Sequence, residues 1–577
     1  MINLEIAEIF KDIARILEIK GENVFRIRAY TRAAQNIEGF PNLESYIKQG
    51  RLTDIPGIGH DLSEMIKEYA ATGKIKTYEE LKKALPAGLL NLLNIPSIGP
   101  KTAKLLYEEA KIKDIAGLEE AIKRGKLTGL AGIKEKTIEN IKKGIEILKR
   151  GKERMTLAQA TLVADEFISE LKKMPQVKKI SPAGSLRRQK DTVRDIDILI
   201  TSKEPEKIIG AFIKLGQVRD VLAKGRTKAS VRTNEDVQVD CRVLEERAFG
   251  AALLYFTGSK DFNIKLRQIA IKKNLKLNEY GLFSAAGGSA SGGKEQLLAG
   301  KTEEEMFKTL GLSYIEPELR ENTGEIELAR KGALPHLVEL KDIKGDLHAH
   351  TNYSDGASSI REMADAAIRR GYSYIALTDH SESLKVAGGL NTAELKKKRD
   401  EIAGVNKELK NFRVLFGTEV EIGSTGKIDY KDEVLEGFDI VVAAIHTGFK
   451  QSKEQLTKRI ILACKNKHVN IIAHPTGKLW GSRDAYEIDF EEILKVARDT
   501  NTHLEINAFP NRLDLNDKNC RRAKEAGVKI AISTDSHEAK QLDAMKFGIS
   551  VARRAWLAPE DVINTLPLEK LLKIIKK

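Results

Sequence analysis

The spacing of apolar residues changes twice along the chain. Up to residue 152 it is helical: Ile6, Ile9, Phe10, Ile13 and Leu17 fall on one stripe with a period of about 3.6 residues. From 153 to 320 strands alternate with helices. Met155 to Met174 predicts a helix, and Ile196–Thr201, Val218–Ala223, Ala229–Thr233 and Val237–Val243 predict strands. In the last of these, Val237 and Val239 share one face, and Gln238, Asp240 and Arg242 share the other. The Ser, Ala and Gly-rich stretch 284–298 predicts a flexible loop. Residues 321–342, polar and then broken by Gly332 and Pro335, predict a linker. From 343 onward a short apolar run, a polar residue at its end and a helical pattern recur about seven times, which describes a barrel with its site at the C-terminal rim.

Three short elements punctuate the helical part: Ile55-Pro-Gly-Ile-Gly59, Ile95-Pro-Ser-Ile-Gly99 and the degenerate Leu130-Ala-Gly-Ile133. Each precedes a new helical pattern, and lysines follow the last two (Lys101 and Lys104; Lys134 and Lys136). Such a turn aims unpaired N–H groups at an anion and grips a phosphate backbone without reading sequence. Gly57, Gly59, Gly99, Lys101 and Lys104 are the candidate DNA contacts. Composition agrees: 97 Lys and Arg against 83 Asp and Glu leave a net charge of +14. The cysteines, Cys241, Cys464 and Cys520, are far apart, which excludes a disulfide framework and fits a reducing, cytoplasmic compartment. The amphipathic start is not a signal peptide, and no run of about twenty apolar residues occurs, so no membrane partner is expected.

Candidate chemistry lies in both of the later regions. In Gly184–Asp197 a Gly-Ser turn carries two arginines, and Asp195 and Asp197 then open an apolar strand. The turn suits phosphate, and two carboxylates on one strand face suit a hard divalent cation. Asp240, from a neighbouring strand, is the third carboxylate, and three acids can hold two Mg2+ ions for nucleotidyl transfer. Downstream, Gly345-Asp-Leu-His-Ala-His350 places His348 and His350 on one face. His380, His446, His474 and His537 follow at strand ends, with Glu419 and Asp535 at equivalent positions. Imidazoles and carboxylates together suit Zn2+, Mn2+ or Fe2+. His336, His468 and His503 fall outside this series.

These motifs occur in a familiar order. The glycine turns look like helix-hairpin-helix motifs. Phe25 to Ala34, Ile55 to Gly59 and Ala71-Thr-Gly73 resemble the N-terminal domain of family X DNA polymerases. Methionine, Met65, stands where some relatives carry a lyase lysine, and Lys67 is on another helix face, so lyase activity is not carried over. Tyr255-Phe-Thr-Gly-Ser259, Asn263, Arg267 and Leu277-Asn-Glu-Tyr280 are similar to the family's nucleotide-selection and thumb segments. The resemblance implies that Gly184, Ser185 and Arg188 meet the triphosphate and that Tyr255, Phe256 and Gly258 flank the sugar. It implies that Asn263 meets the base, and that Arg267 and Tyr280 meet DNA. Lys260 and Gln238 depart from the family pattern and imply altered affinity or fidelity.

The histidine series resembles the PHP (polymerase and histidinol phosphatase) family, with its distorted (β/α)7 barrel. Carried over, one ion would lie on His348, His350, Glu419 and Asp535, and a second would share Glu419 with His446 and His474. A third would use Asp355, His380 and His537. The implied architecture is multidomain α/β. It comprises an N-terminal domain (1–82), a fingers-like helical domain (83–152), a nucleotidyltransferase palm (153–260), a thumb (261–320), a linker (321–342) and the PHP barrel (343–577).

The expected protein is a monomeric gap-filling polymerase of base excision repair. It would use gapped or primer–template DNA, deoxynucleoside triphosphates and Mg2+ or Mn2+. The barrel, with up to three Mn2+, Zn2+ or Fe2+ ions, would act as a 3′–5′ exonuclease, with cleavage at abasic sites a further expectation. The alternatives are a template-independent nucleotidyltransferase, a barrel that only holds structure or DNA, and a small-molecule phosphatase.

Overall fold

The structure is a computed structural model. It describes the chain except residues 1, 39–42, 56, 84, 87, 96–97, 129, 131–132, 285–295 and 577. Two compact units result: Met1–Lys152 with the short segments Asp355–Ser359 and Leu479–Ala485, and the remainder of the chain.

The first unit is helical among its described residues. Its main helices are Ile2–Lys20, Val24–Glu38, His60–Thr72, Pro100–Glu108, Ile115–Lys123 and Glu135–Glu153. It has two apolar cores. One gathers Ile6, Phe10, Ile13, Tyr30, Ile55, Ile58 and Ile66; the other gathers Leu92, Ile95, Ile98, Leu106, Ile133 and Ile141. The glycine-turn repeat explains their likeness. Five of the six apolar turn residues are buried and Leu130 is partly so, and each turn is closed by the same bond: the Ile58, Ile98 and Ile133 amides donate to the Ile55, Ile95 and Leu130 carbonyls at 3.0 Å. Ala131 and Gly132 of the third turn lie outside the described residues.

The second unit opens with β1 (Met155–Thr156), β2 (Lys179–Pro182), β3 (Thr192–Val193), β4 (Asp195–Thr201), β5 (Val218–Lys224), β6 (Lys228–Thr233) and β7 (Gln238–Leu244). The helix expected from Met155 starts at Leu157. Thr156 and Gln159 form a reciprocal capping box there, which frees Met155 and Thr156 to pair with β3. The main sheet has the order β2-β4-β7-β6-β5, with β4 and β7 parallel and the other pairs antiparallel.

A small sheet follows, β8 (Leu275–Asn278), β9 (Gly281–Ser284) and β10 (Leu297–Ala299). The loop expected over 284–298 is therefore bounded by strands: Ser284 ends β9, Leu297 starts β10, and 285–295 lie outside the described residues. The segment expected as a linker contains the helix Glu325–Lys331. Its Ile326 and Ala329 join Phe262, Phe307 and Trp556 in one apolar core, because their spacing puts both on one helix face.

The barrel strands are β11 (Gly345–Ala349), β12 (Tyr374–Leu377), β13 (Arg413–Glu421), β14 (Ile440–Ala444), β15 (Ile471–Ile472), β16 (His503–Asn507) and β17 (Ile530–Ser533). All seven are parallel and in sequence order, and a bridge between Ala349 and Ser536 joins the first strand to the residues after the last. Burial on both faces makes these strands nearly continuous apolar runs. One apolar cluster runs from Phe167 on the helix Leu157–Lys172 and Ile198 and Val239 of the main sheet through Val338 and Ile343 into the barrel at Ile375, Val414 and Ile532.

Lys398 is a fully buried cation on the helix Thr392–Glu408. It donates to the Leu377 and Gly417 carbonyls (2.9 and 3.0 Å) and pairs with buried Asp379 at 2.8 Å. Lys398→Met strands the Asp379 carboxylate and should destabilise the barrel by about 3–5 kcal/mol. Calorimetric unfolding of the whole chain measures it; an unchanged melting profile would contradict this account.

Candidate active sites

The parallel pairing of β4 with β7 builds the first site. It sets Asp195 beside Gln238 and Asp197 beside Asp240. Ile196, Ile198 and Ile200 alternate inward, so the aspartates share the opposite, partly buried face. Asp197 is pushed up to about 7, first by burial and then by the charges of Asp195 and Asp240. Three acids sharing one face fit a site for divalent cations, which would remove that repulsion. Gln238 donates to both oxygens of Asp240 at 3.2 Å.

The Gly-Ser turn lies against these acids. Gly184 has φ +62, and a Cβ on it would collide with the Asp197 carboxylate, so both conformation and space require glycine. Ser185 and Arg188 are partly buried. Arg188 is fully engaged: it donates to Glu321 at 3.0 Å and to the Thr257 carbonyl. Arg187 points the other way, into a buried cluster. It meets Glu303 through two bonds of 2.8 and 2.7 Å, and Arg320 adds bonds of 2.5 and 3.2 Å to the same carboxylate. Burial pushes Glu303 up, but the two guanidiniums overcome this and hold it at about 2.

The helix Phe249–Thr257 ends at Gly258 (φ +73), and Ser259 caps the next helix, Lys260–Lys272. The Tyr255 and Phe256 rings meet edge-to-face at 5.1 Å, and the Arg242 guanidinium lies 4.5 Å over Phe256. Asn263 donates to the Tyr255 carbonyl at 2.7 Å. Lys260, Arg267 and Tyr280 are exposed.

In the first unit, Gly59 and Gly99 are the residues before the helices His60–Thr72 and Pro100–Glu108, and the space a Cβ would take at either is open. Gly57 has φ +76, where glycine is favoured. Lys101 is exposed, whereas Lys104 is partly buried and 3.9 Å from Glu108. Met65 takes a sulfur contact of 3.7 Å from the Tyr30 hydroxyl, and Lys67 is exposed and paired with Glu64 at 2.8 Å.

The second site gathers at the strand ends of the barrel. Glu419, on β13, is its centre. It lies 2.9 Å from His380, 3.1 Å from His474, 3.2 Å from His446, 3.4 Å from His348 and 3.6 Å from His350. Asp535 is 3.2 Å from His350 and 3.6 Å from His348. His348, His350 and Asp535 bring ligand atoms within 4.8 Å of one another; so do His380, Glu419 and His446, and so do His350, His380 and His537. Asp355 is exposed and opens the segment that clusters with the first unit. The electrostatics fit a cation cluster. Burial pushes Glu419 and Asp535 up, but the surrounding imidazoles hold both carboxylates well below their usual range. Burial lowers His474 to about 3, keeping it a neutral donor. His474 and Asp535 have φ of +28 and +53, unusual for residues other than glycine and frequent where ligands are clamped.

Several supporting residues escape a reading of the sequence. Glu505 contacts His348 Nδ1 at 2.8 Å and accepts the His474 amide at 2.8 Å. Glu421 contacts His446 Nδ1 at 2.9 Å, and Asn507 donates to Asp535 at 3.0 Å. Such partners fix the imidazole tautomer and the ligand's orientation. Their signal is an acid inside an apolar strand, as in Leu504-Glu505-Ile506. Of the histidines outside the series, His336 is exposed, His468 is partly buried and His503 is buried in β16.

Comparison with known proteins identifies domains along the chain. A DNA polymerase β thumb pattern matches residues 252–321, and a PHP domain pattern matches 346–509. A helix-hairpin-helix domain matches 1–75, and a SAM-like helix-hairpin-helix tandem matches 89–146. The DNA polymerase/3′-5′ exonuclease PolX of Bacillus subtilis is 40% identical over 575 residues, 99% of each chain. This chain is a family X DNA polymerase with a C-terminal PHP domain. DNA polymerase lambda of Rattus norvegicus is 27% identical over 351 residues, covering 55% of this chain and 56% of its own. A probable phosphatase of Thermoanaerobacter sp. is 34% identical over 232 residues, 38% of this chain and 89% of its own. In this family X chain, no helix among the described residues is long and apolar enough to cross a membrane.

Glu303→Gln leaves the buried Arg320 and the partly buried Arg187 without their carboxylate and should cost about 3–5 kcal/mol. Because the folded carboxyl lies at about 2, below its ordinary 4.5, its contribution is fully present above 4.5 and is lost as pH falls toward 2. Melting of wild type and variant across that range should converge at the acid end. A constant gap would reject the assignment.

Proposed function

We propose that this family X chain carries two metal-dependent centres of opposite chemical sense, one that extends a DNA 3′ end and one that removes nucleotides from it. The observation that carries the first is the β4–β7 register, which sets Asp197 against Asp240 beside Asp195 with no protein cation bonded to any of the three among the described residues. The observation that carries the second is Glu419 encircled by five imidazoles. The name of the B. subtilis relative joins polymerase and 3′–5′ exonuclease.

In this reading the incoming deoxynucleoside triphosphate lies along the Gly184–Arg188 turn, with Ser185 and Arg188 on its phosphates. Tyr255, Phe256 and Gly258 flank its sugar, and Asn263 meets the base edge. Asp195, Asp197 and Asp240 would hold Mg2+ or Mn2+, which would supply positive charge to the reacting phosphates and the primer hydroxyl. Gly57, Gly59, Gly99, Lys101 and Lys104 grip the DNA backbone, and Arg267 and Tyr280 contact it within the thumb. The chain works as a monomer on gapped or primer–template DNA in base excision repair.

In the barrel, His348, His350, Glu419, Asp535, His446 and His474 hold Mn2+, Zn2+ or Fe2+, with Asp355, His380 and His537 completing the set. Ions held there would activate water for attack on phosphorus. Glu505, Glu421 and Asn507 keep the ligands oriented.

The test is a primer–template assay with and without nucleotides across Mg2+, Mn2+ and Zn2+. Asp195→Asn with Asp197→Asn should lower synthesis by more than about a hundredfold and spare 3′-end digestion. His348→Ala with His350→Ala should do the reverse. Undiminished activity in either variant rejects the corresponding half, and abasic and phosphomonoester substrates in the same assay report on the barrel's range. Template-independent incorporation would favour the alternative nucleotidyltransferase.

A further inference from the structure

The nucleotide-binding turn is tied to the PHP barrel at three points, and Glu321 beside it at a fourth. Arg554, on the barrel helix Met545–Arg554, donates to the Arg188 carbonyl at 2.9 Å and to Glu321 at 3.1 Å. Ser550, on the same helix, donates to Gln189 at 2.8 Å. Lys478, four residues after His474, pairs with Asp191 at 3.0 Å. Three of the four residues 188–191 are thus held from the barrel, directly behind the turn that carries Gly184 and Ser185.

Glu321 is the decisive atom group. The oxygen that accepts from Arg188 at 3.0 Å also accepts from Arg554 at 3.1 Å, and Lys190 lies 3.5 Å from it. Burial raises this carboxyl, but Arg188, Arg554 and Lys190 bring it below its usual range, so it stays ionised. Arg188 therefore cannot turn to a triphosphate without leaving a partly buried anion behind. Arg554 is only 4% exposed and already bonded to the same oxygen, so it is the cation that remains.

We infer that Arg554 is a positioning residue for the incoming nucleotide: it keeps Glu321 neutralised and so releases Arg188 to the triphosphate. The inference rests on the reading of Arg188 given above. It makes the barrel a component of nucleotide binding in the palm, apart from anything the barrel hydrolyses.

The full-length chain tests it through single-nucleotide insertion on gapped DNA. Arg554→Met should raise KM for the nucleotide about three- to tenfold, because Glu321 then keeps only Arg188 and the longer Lys190 contact. Its kcat and 3′-end hydrolysis should stay within about twofold of wild type. Arg554→Lys should recover part of the KM. Glu321→Gln should lower KM, and adding Arg554→Met to it should leave KM at the Glu321→Gln value. Asp517→Asn neutralises Arg554's other ion-pair partner, 2.6 Å away within the barrel, and should leave KM unchanged. A wild-type KM in Arg554→Met, or an additive double variant, overturns the inference. So does an equal fall in kcat, nucleotide affinity and hydrolysis. Should Arg554→Met fail to fold, an unchanged or raised KM in Glu321→Gln overturns it. An unchanged KM in Arg188→Ala would instead sink the earlier reading of Arg188.

Discussion

A carboxylate taken out of water must be given positive charge, and the second unit is arranged around that requirement. Desolvation costs several kcal/mol per ion unless a partner repays it. Where the role is structural, the partner is a protein cation. Glu303 has Arg187 and Arg320, and Asp379 has Lys398. Where chemistry is expected, the arrangement differs. Asp197 has two like charges as neighbours and rises toward neutrality. Glu419 and Asp535 have imidazoles, which can carry a proton or a metal ion.

Much of this was legible in the sequence because it is local. The i, i+2 spacing of Asp195 and Asp197, the glycine turns and the histidines at strand ends are short-range patterns, and each is read from a few adjacent residues. Helix starts depended on side-chain caps: Thr156 and Gln159 moved a boundary that periodicity alone set at Met155. The segment 325–331 was harder still. Its seven residues show too little period to separate a helix from a polar linker, and its apolar face is defined by Phe307 and Trp556, which are distant in sequence.

The supporting shells were hidden for the same reason. Glu505 and His348 are 157 residues apart, and Arg554 and Glu321 are 233 apart. No window of the chain contains both partners of either pair. What the sequence offers is half of each: an acid inside an apolar strand, or an arginine at the end of an amphipathic helix. Either half alone is more often a solvated surface residue. Only the closing of the barrel turns them into contacts.

The barrel's dual involvement bears on the idea that it is merely a scaffold. A scaffold would account for the continuous apolar core from Ile198 to Ile532 and for the clamp on residues 188–191. It would not require His474 and Asp535 to be held at positive φ, nor buried Glu505 and Glu421 to meet the Nδ1 atoms of His348 and His446. Those features carry a cost in folding stability that apolar side chains of similar volume would avoid. The same barrel therefore supports both demands: its outer helices brace the polymerase turn, while its rim keeps a strained, charge-dense site suited to hydrolysis.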